Sequence, residues 1–336
     1  MTYEEILKSL DGTLVRKAQP TPQQAHYNVP LNNIVIAYMQ SAQMVSEALF
    51  PVVGVAKQSD IFYRYDLDTF YRDDAKPRAP SSESAGGGFS FDTDNYSCLV
   101  EAYHKDVDWQ LRANADSQLQ LDRAAALFVA SKMVLRRETR FLSTFFKSGV
   151  WANDWSGVTS GASTNEFVRF DENTDPRVTI EAAKLQVLRT TGYELNVALF
   201  GAEVMSKLVT NPFVREQFKY TSAESINEAM VARYLGLSNV YVSKSVVATG
   251  PEGAAATVDL QAGKHVLLAH RASAPSVLAP SAGYTFAWTG YMGGQSISTA
   301  RFPMRHLTSD RVESEMAYDF KVIAPALGVF LADAVS

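Results

Sequence analysis

The chain has 336 residues, of which 46% are hydrophobic and 20% charged, a balance that excludes a wholly disordered protein. Its 31 Lys and Arg against 36 Asp and Glu leave a net charge of −5, which excludes the global basic footprint of a nucleic-acid binder. A single cysteine, Cys98, excludes an intramolecular disulfide framework, so packing or association with further copies must hold the chain.

At about 150 residues per domain, the length fits two domains or one large discontinuous one. Met1-Thr-Tyr-Glu-Glu5 has no basic stretch leading into an apolar core, so no signal peptide is expected. The apolar run from Val322 to Ala332 contains Pro325 and falls short of the roughly 20 residues of a spanning helix. The expectation is a soluble, non-exported chain.

Residues 1–30 are polar, with Pro20, Pro22 and Pro30 spaced through them, and read as an extended arm. Thr2 and Glu5 fit a capping box for a short helix over Thr2–Leu10. Residues 31–50 turn apolar and predict a strand, then a short helix ending at Phe50-Pro51. Ile61–Tyr65 and Tyr96–Val100, rich in aromatic and branched residues, predict two strands. Pro77, Pro80 and the run Gly86–Gly88 exclude a helix between them, so the unit reads as a projecting hairpin with a long polar tip. An isolated hairpin is marginal in water, and one this long is expected to lie on a neighbouring surface.

Residues 117–148 predict a long helix, with Ser117 and Gln120 as a capping box and Gly149 as the stop. Leu121, Phe128, Leu135 and Leu142, flanked by Leu127, Val134 and Phe141, predict one apolar stripe along it. Arg123, Lys132, Arg136, Arg137, Arg140 and Lys147 fall mostly off the stripe and read as a solvated basic face.

Residues 150–176, rich in Trp, Asn, Ser and Gly, predict a loop, and a second helix follows over about 177–190, closed by Gly192. Strand Leu195–Phe200 and helix Ala202–Val209 come next, the helix stopped by Asn211-Pro212. Thr221 and Glu224 predict a cap for a helix through Ile226, Met230 and Tyr234 that ends at Gly236. Val240–Val242 and His265–Ala269 predict strands on either side of a Gly/Ala-rich loop at 249–263. Met316, Tyr318, Phe320 and Val322 alternate with Ala317, Asp319, Lys321 and Ile323, a period of two that predicts a strand with one apolar face.

The sequence carries no local signature of catalysis. His265 and His270 lie five apart and face opposite sides of a strand, and there is no HExxH and no paired Cys, so no metal is expected. Asp171–Asp175 lacks the Gly and Glu of a calcium loop, which are Pro176 and Ala182 here. Ser296 lacks the closing Gly of a nucleophile elbow, and Gly263-Lys264 lacks the earlier Gly of a P-loop. An active site needs no local signature, so a soluble enzyme stays open as an alternative, but the reading is a non-enzyme with no cofactor.

The order of elements resembles the major capsid proteins of tailed bacteriophages, the HK97-fold family. Phe50-Pro51-Val52-Val53, leading into Asp60-Ile-Phe-Tyr-Arg-Tyr65, is similar to one of its subfamilies. Leu127–Trp151 resembles its spine helix and exit, and Asn211–Gln217 with Glu224–Leu237 and Asn239–Val242 resembles its capsomer-centre domain. Glu315–Pro325 resembles its closing strand.

The resemblance implies an α+β fold. It has an N-terminal arm at 1–52, an E-loop hairpin at 53–110 and a peripheral P-domain at 111–190, whose spine helix spans about 117–148. An axial A-domain at 191–299 follows, and P-domain return strands at 300–336. It also implies hexamers and pentamers of this chain closing into an icosahedral shell around double-stranded DNA, without sequence-specific contact and without a membrane.

A separate scaffolding protein is implied, because only some 50 residues precede the hairpin, along with a portal protein and, where the shell carries one, a decoration protein. The location implied is the virion, with synthesis in the bacterial cytoplasm. Tyr63, Tyr65, Phe70, Lys76, Arg136, Arg137 and Arg140 are the candidate inter-subunit contacts. Lys76 is also the one candidate for the hairpin cross-link that some members make. The hairpin region 57–105 has six Lys/Arg and nine Asp/Glu, net −3, and is expected to pair with the basic spine helix of a neighbour. An encapsulin-type compartment shares the fold and is the nearest alternative, and a tail protein is a more distant one.

Overall fold

The computed structural model describes residues 44–65, 71–115, 120–171, 173–219, 226–250, 257–275, 280–291 and 297–336. The expected helix at Thr2–Leu10, most of the arm, Ser117, Thr221, Glu224, Ser296 and Phe70 lie outside them.

Strand β14, Ser309–Val322, organises the first of two large sheets. Along one edge it pairs antiparallel with β4, Leu99–Asp108, in a register running from Ser309↔Asp108 to Tyr318↔Leu99. Its other edge takes two strands in tandem: β13, Ser298–Met304, against 309–315, and β12, Gly283–Trp288, against 318–322. β1, Val52–Val55, adds in parallel to β12. Val312, Ser314, Met316, Tyr318 and Phe320 are buried at alternate positions, as the period of two predicts.

Helix α2, Leu121–Phe145, lies on this sheet after the single-turn α1, Trp109–Asn114. Its buried positions are Ala125, Val129, Met133, Arg137, Glu138, Phe141, Leu142 and Phe145. This corrects the predicted stripe: Leu127 and Phe128 are 43% and 42% exposed. The drift of a seven-residue repeat over these two heptads is only about 40°; the larger cause is cover, since Phe141, Leu142 and Phe145 are enclosed in the main core, whereas the N-terminal half is covered only along Ala125, Val129 and Met133. The helix stops at Phe145, and Gly149 takes its left-handed φ of 83° in the turn beyond.

The second sheet has six strands in the order β6-β5-β15-β11-β7-β8. These are β5 Asn153–Val158, β6 Glu166–Val168, β7 Val197–Gly201, β8 Asn239–Ser243, β11 Val266–Ala269 and β15 Gly328–Ala332. Two of them, β5 and β6, lie in the segment predicted as loop. Asn153, Asp154, Ser156 and Gly157 have little strand propensity of their own, and pairing with β15, some 175 residues away in sequence, overrides it. The sheet therefore joins strands from 153–168, 197–243, 266–269 and 328–332, while β12 sits in the other sheet.

Helix α3, Pro176–Thr191, follows the expected grammar: Asp175 caps it, Pro176 opens it and Gly192 closes it at φ 70°. Helix α4, Ala202–Thr210, stops where predicted, but Asn211 at once caps α5, Pro212–Phe218. Proline is suited to a first helical turn, so the same Asn-Pro ends one helix and starts the next. Asn227 caps α6, Glu228–Tyr234, and β9, Val246–Ala248, pairs with β10, Val258–Leu260.

The main apolar core runs from α2 into the six-stranded sheet. Phe50 is its bridge, with ring centroids 4.7 Å from Phe145, 6.2 Å from Phe141 and 6.4 Å from Trp151. In the described part of the segment expected to hold a short helix before Phe50-Pro51, residues Val45–Glu47 form a 3-10 turn.

Candidate assembly surface

The hairpin forms in the predicted place. β2, Ser59–Tyr65, pairs antiparallel with β3, Phe91–Ser97, from Ser59↔Ser97 to Tyr65↔Phe91. Alternation gives its two faces different environments. Phe62 and Tyr96 turn toward the body, where both rings meet Phe286 at 5.5 and 4.7 Å. On the same face Arg64 pairs with Asp92 at 3.0 Å and Lys321 with Asp94 at 3.4 Å.

The opposite face carries Ile61 and Tyr63, 63% and 64% exposed, with Phe91 edge-on to Tyr63 at 5.2 Å. Phe89 just before β3 is exposed as well. The base of the hairpin is thus fixed to its own chain, and its outer face is an uncovered apolar strip.

A second exposed apolar group lies where β4 meets α2. Tyr103 and Phe128 approach at 6.1 Å, with the Lys105 and Lys132 ammonium groups 6.0 and 5.7 Å from the Phe128 ring. Leu99, Val100 and Leu127 are also exposed on these two elements. Monomeric soluble proteins seldom leave large contiguous apolar patches bare, so such surfaces mark association sites.

Of the six basic residues expected on a solvated face, Arg123, Lys132, Arg136 and Lys147 are exposed, whereas Arg137 and Arg140 are not. Arg136 pairs with Glu101 at 3.1 Å, and Arg140 with Asp319 at 3.1 Å. Arg137 is 3% exposed and pairs with Glu47 at 2.7 Å. Its reading as an exposed partner for a neighbour's hairpin is corrected by this burial: the guanidinium is committed to its own chain. Arg137 and Arg140 also stand over the Tyr318 ring at 5.8 and 5.1 Å, and the Tyr318 hydroxyl donates to Glu101 at 2.8 Å.

Beside them Glu138 is fully buried, and its two carboxylate oxygens accept from Val45 N at 3.3 Å and Ser46 N at 3.0 Å. An anion at the open N–H end of a helical turn is favourable, so this carboxylate clamps the turn from which the preceding arm departs. Sequence reasoning missed Glu47, Glu101, Glu138 and Tyr318. The one available signal was a Glu placed among the apolar residues of a helix stripe.

Of the other candidates, Tyr65 lies in β2 opposite Phe91, and Lys76 is exposed in the tip, where residues 72–90 form no helix or strand. The tip is held locally, Arg78 donating to the Ser82 carbonyl. At the far end of the sheet, Asp310 accepts from Trp109 Nε1 at 2.9 Å and Arg112 at 2.7 Å, and pairs with Arg301. Asp122 binds the same two arginines at 2.8 and 3.0 Å, so this cluster ties α1, α2, β13 and β14 together. Two concavities, of about 50 and 260 Å³, are smaller than the roughly 300–1,000 Å³ usual for small-molecule sites.

No protein-family model matches the chain, and no curated protein does. Solved structures do. A phage-related protein from Bordetella bronchiseptica RB50 shares 22% identity over 87% of this chain and 92% of its own, with a TM-score of 0.64. The mature capsid of bacteriophage PhiM1 matches with 13% identity over 87% of each chain and a TM-score of 0.52. The capsid of a native GTA particle matches with 13% identity over 88% and 92% and a TM-score of 0.54.

This is the HK97 fold. No helix among the described residues is long and apolar enough to cross a membrane.

Proposed function

We propose that this chain is a major capsid protein, copies of which assemble as hexamers and pentamers into an icosahedral shell around double-stranded DNA. The observation that carries the proposal is the HK97 fold over nearly the whole chain, joined to an E-loop whose inner face is anchored and whose outer apolar face is bare. The role is structural rather than catalytic. The net charge of −5 suits a container, because a basic lining would bind phosphates and hinder movement of the packaged DNA.

In this reading residues 1–52 are the arm, 53–110 the E-loop, 111–190 with 300–336 the P-domain, and 191–299 the A-domain. The E-loop tip with Lys76, the exposed strip at Tyr63, the residues Tyr65 and Phe70, and the exposed part of Arg136 contact neighbouring copies. A separate scaffolding protein, a portal and, in a decorated shell, a decoration protein complete the virion, whose parts are made in the bacterial cytoplasm.

Negative-stain electron microscopy with size-exclusion chromatography tests this on the chain expressed with and without its neighbouring genes. Closed shells tens of nanometres across that depend on a co-expressed scaffold are expected. Shells that close efficiently without any scaffold favour an encapsulin-type compartment instead, and a monomer or dimer under every condition overturns the shell reading.

A further inference from the structure

The E-loop tip touches its own chain at a defined place. The Tyr71 hydroxyl donates to the carbonyl of Thr191 at 2.6 Å. Thr191 is the last residue of α3, so its carbonyl is among the four that no intrahelical N–H can reach. The next residue, Gly192, is left-handed at φ 70°, and its missing side chain makes the seat: a Cβ there would stand 3.1 Å from the Tyr71 oxygen and 3.3 Å from the ring carbon bearing it. The phenol thus completes the end of α3 from outside, against the bare face of a glycine, while Tyr71 as a whole stays 55% exposed.

We infer that Tyr71 is a parking latch. In the unassembled subunit it holds the E-loop tip on the subunit's own α3, and the latch opens before the tip lies on a second copy. The hairpin base is held by Phe62 and Tyr96 on Phe286 and by Cys98 N donating to the Gln58 carbonyl at 2.8 Å, so the tip moves about that base. A tip tied at Thr191 is bound to its own chain, and the free energy of the latch is subtracted from every contact it makes elsewhere. The parking contact rests on intrachain geometry alone, and the opening step also rests on the shell reading.

The test is Tyr71→Phe, which keeps the ring and removes the donor, with Tyr291→Phe as a control at a tyrosine outside the latch, whose hydroxyl donates to Glu315. Hydrogen exchange on unassembled subunits is expected to rise about two- to ten-fold at 190–193 and in the tip of Tyr71→Phe, the range of one hydrogen bond, and to stay unchanged in the control. Scaffold-dependent shell formation is expected to start faster by a similar factor. Unchanged exchange overturns the parking contact, and higher exchange with unchanged assembly overturns the opening step. Failure of both wild type and variant to form shells counts against the shell reading, and the exchange result then still decides whether the tip is parked.

Discussion

Glu138 and Thr285 are two buried polar residues that the fold treats in opposite ways. Glu138 spends both oxygens on the Val45 and Ser46 amides, yet burial pushes its carboxyl above the ordinary glutamate value, outweighing those N–H groups and Arg137. A carboxyl raised in the folded state adds stability that is full below its unfolded value and is lost as pH rises through the folded one. Glu138→Gln removes that titration. Between pH 7 and pH 5 the melting temperature of the wild type should therefore rise relative to Glu138→Gln, and a constant difference would show that the group titrates alike in both states.

Thr285 is fully buried in β12, and its hydroxyl has no partner among the described residues. Valine has nearly the same shape, so Thr285→Val should stabilise the subunit by about 1 kcal/mol, the order of an unsatisfied hydroxyl's burial penalty. A loss of stability in urea titrations would mean that the hydroxyl is satisfied in solution.

At the scale of elements, anchored and bare aromatic residues of neighbouring segments separate stability from assembly. Phe50 sits among Phe141, Phe145 and Trp151, and Phe50→Ala should lower subunit stability by about 3–5 kcal/mol. The pair Ile61→Ser and Tyr63→Ser lies on the open hairpin face, and each change should move stability by less than about 0.5 kcal/mol while cutting shell yield. Urea unfolding of unassembled subunits, set beside particle yield, checks both halves. A hairpin double variant that unfolds early would mean its outer face is packed.

Elements with strong local grammar were legible in the sequence. Asp175, Pro176 and Gly192 bound α3 on chemistry alone, and the period of two at 316–323 located β14. Elements made by distant pairing were not: β5 is a strand because β15 reaches it, β6 in turn pairs with β5, and nothing within 153–168 announces it. The stripe on α2 was legible in kind and wrong in phase, since a sheet covers one side of a helix and the sequence does not say where the cover ends.

The candidate surface was half legible for the same reason. The aromatic hairpin residues stand out in any reading, but whether an arginine faces solvent or a carboxylate in its own chain depends on residues such as Glu47 and Glu101, far away in sequence. On the scale of the whole molecule, one topological fact bears on how the subunit comes into being. β15 lies inside the six-stranded sheet, parallel to β5 on one side and antiparallel to β11 on the other. A ribosome makes the outer strands first and the inner one among the last, so a nascent chain holds two half-sheets with an empty slot between them. Sheets built from such distant pairings fold slowly. The six-stranded sheet is then completed only after residue 332 has emerged, so the partial chains on a polysome cannot carry the finished sheet.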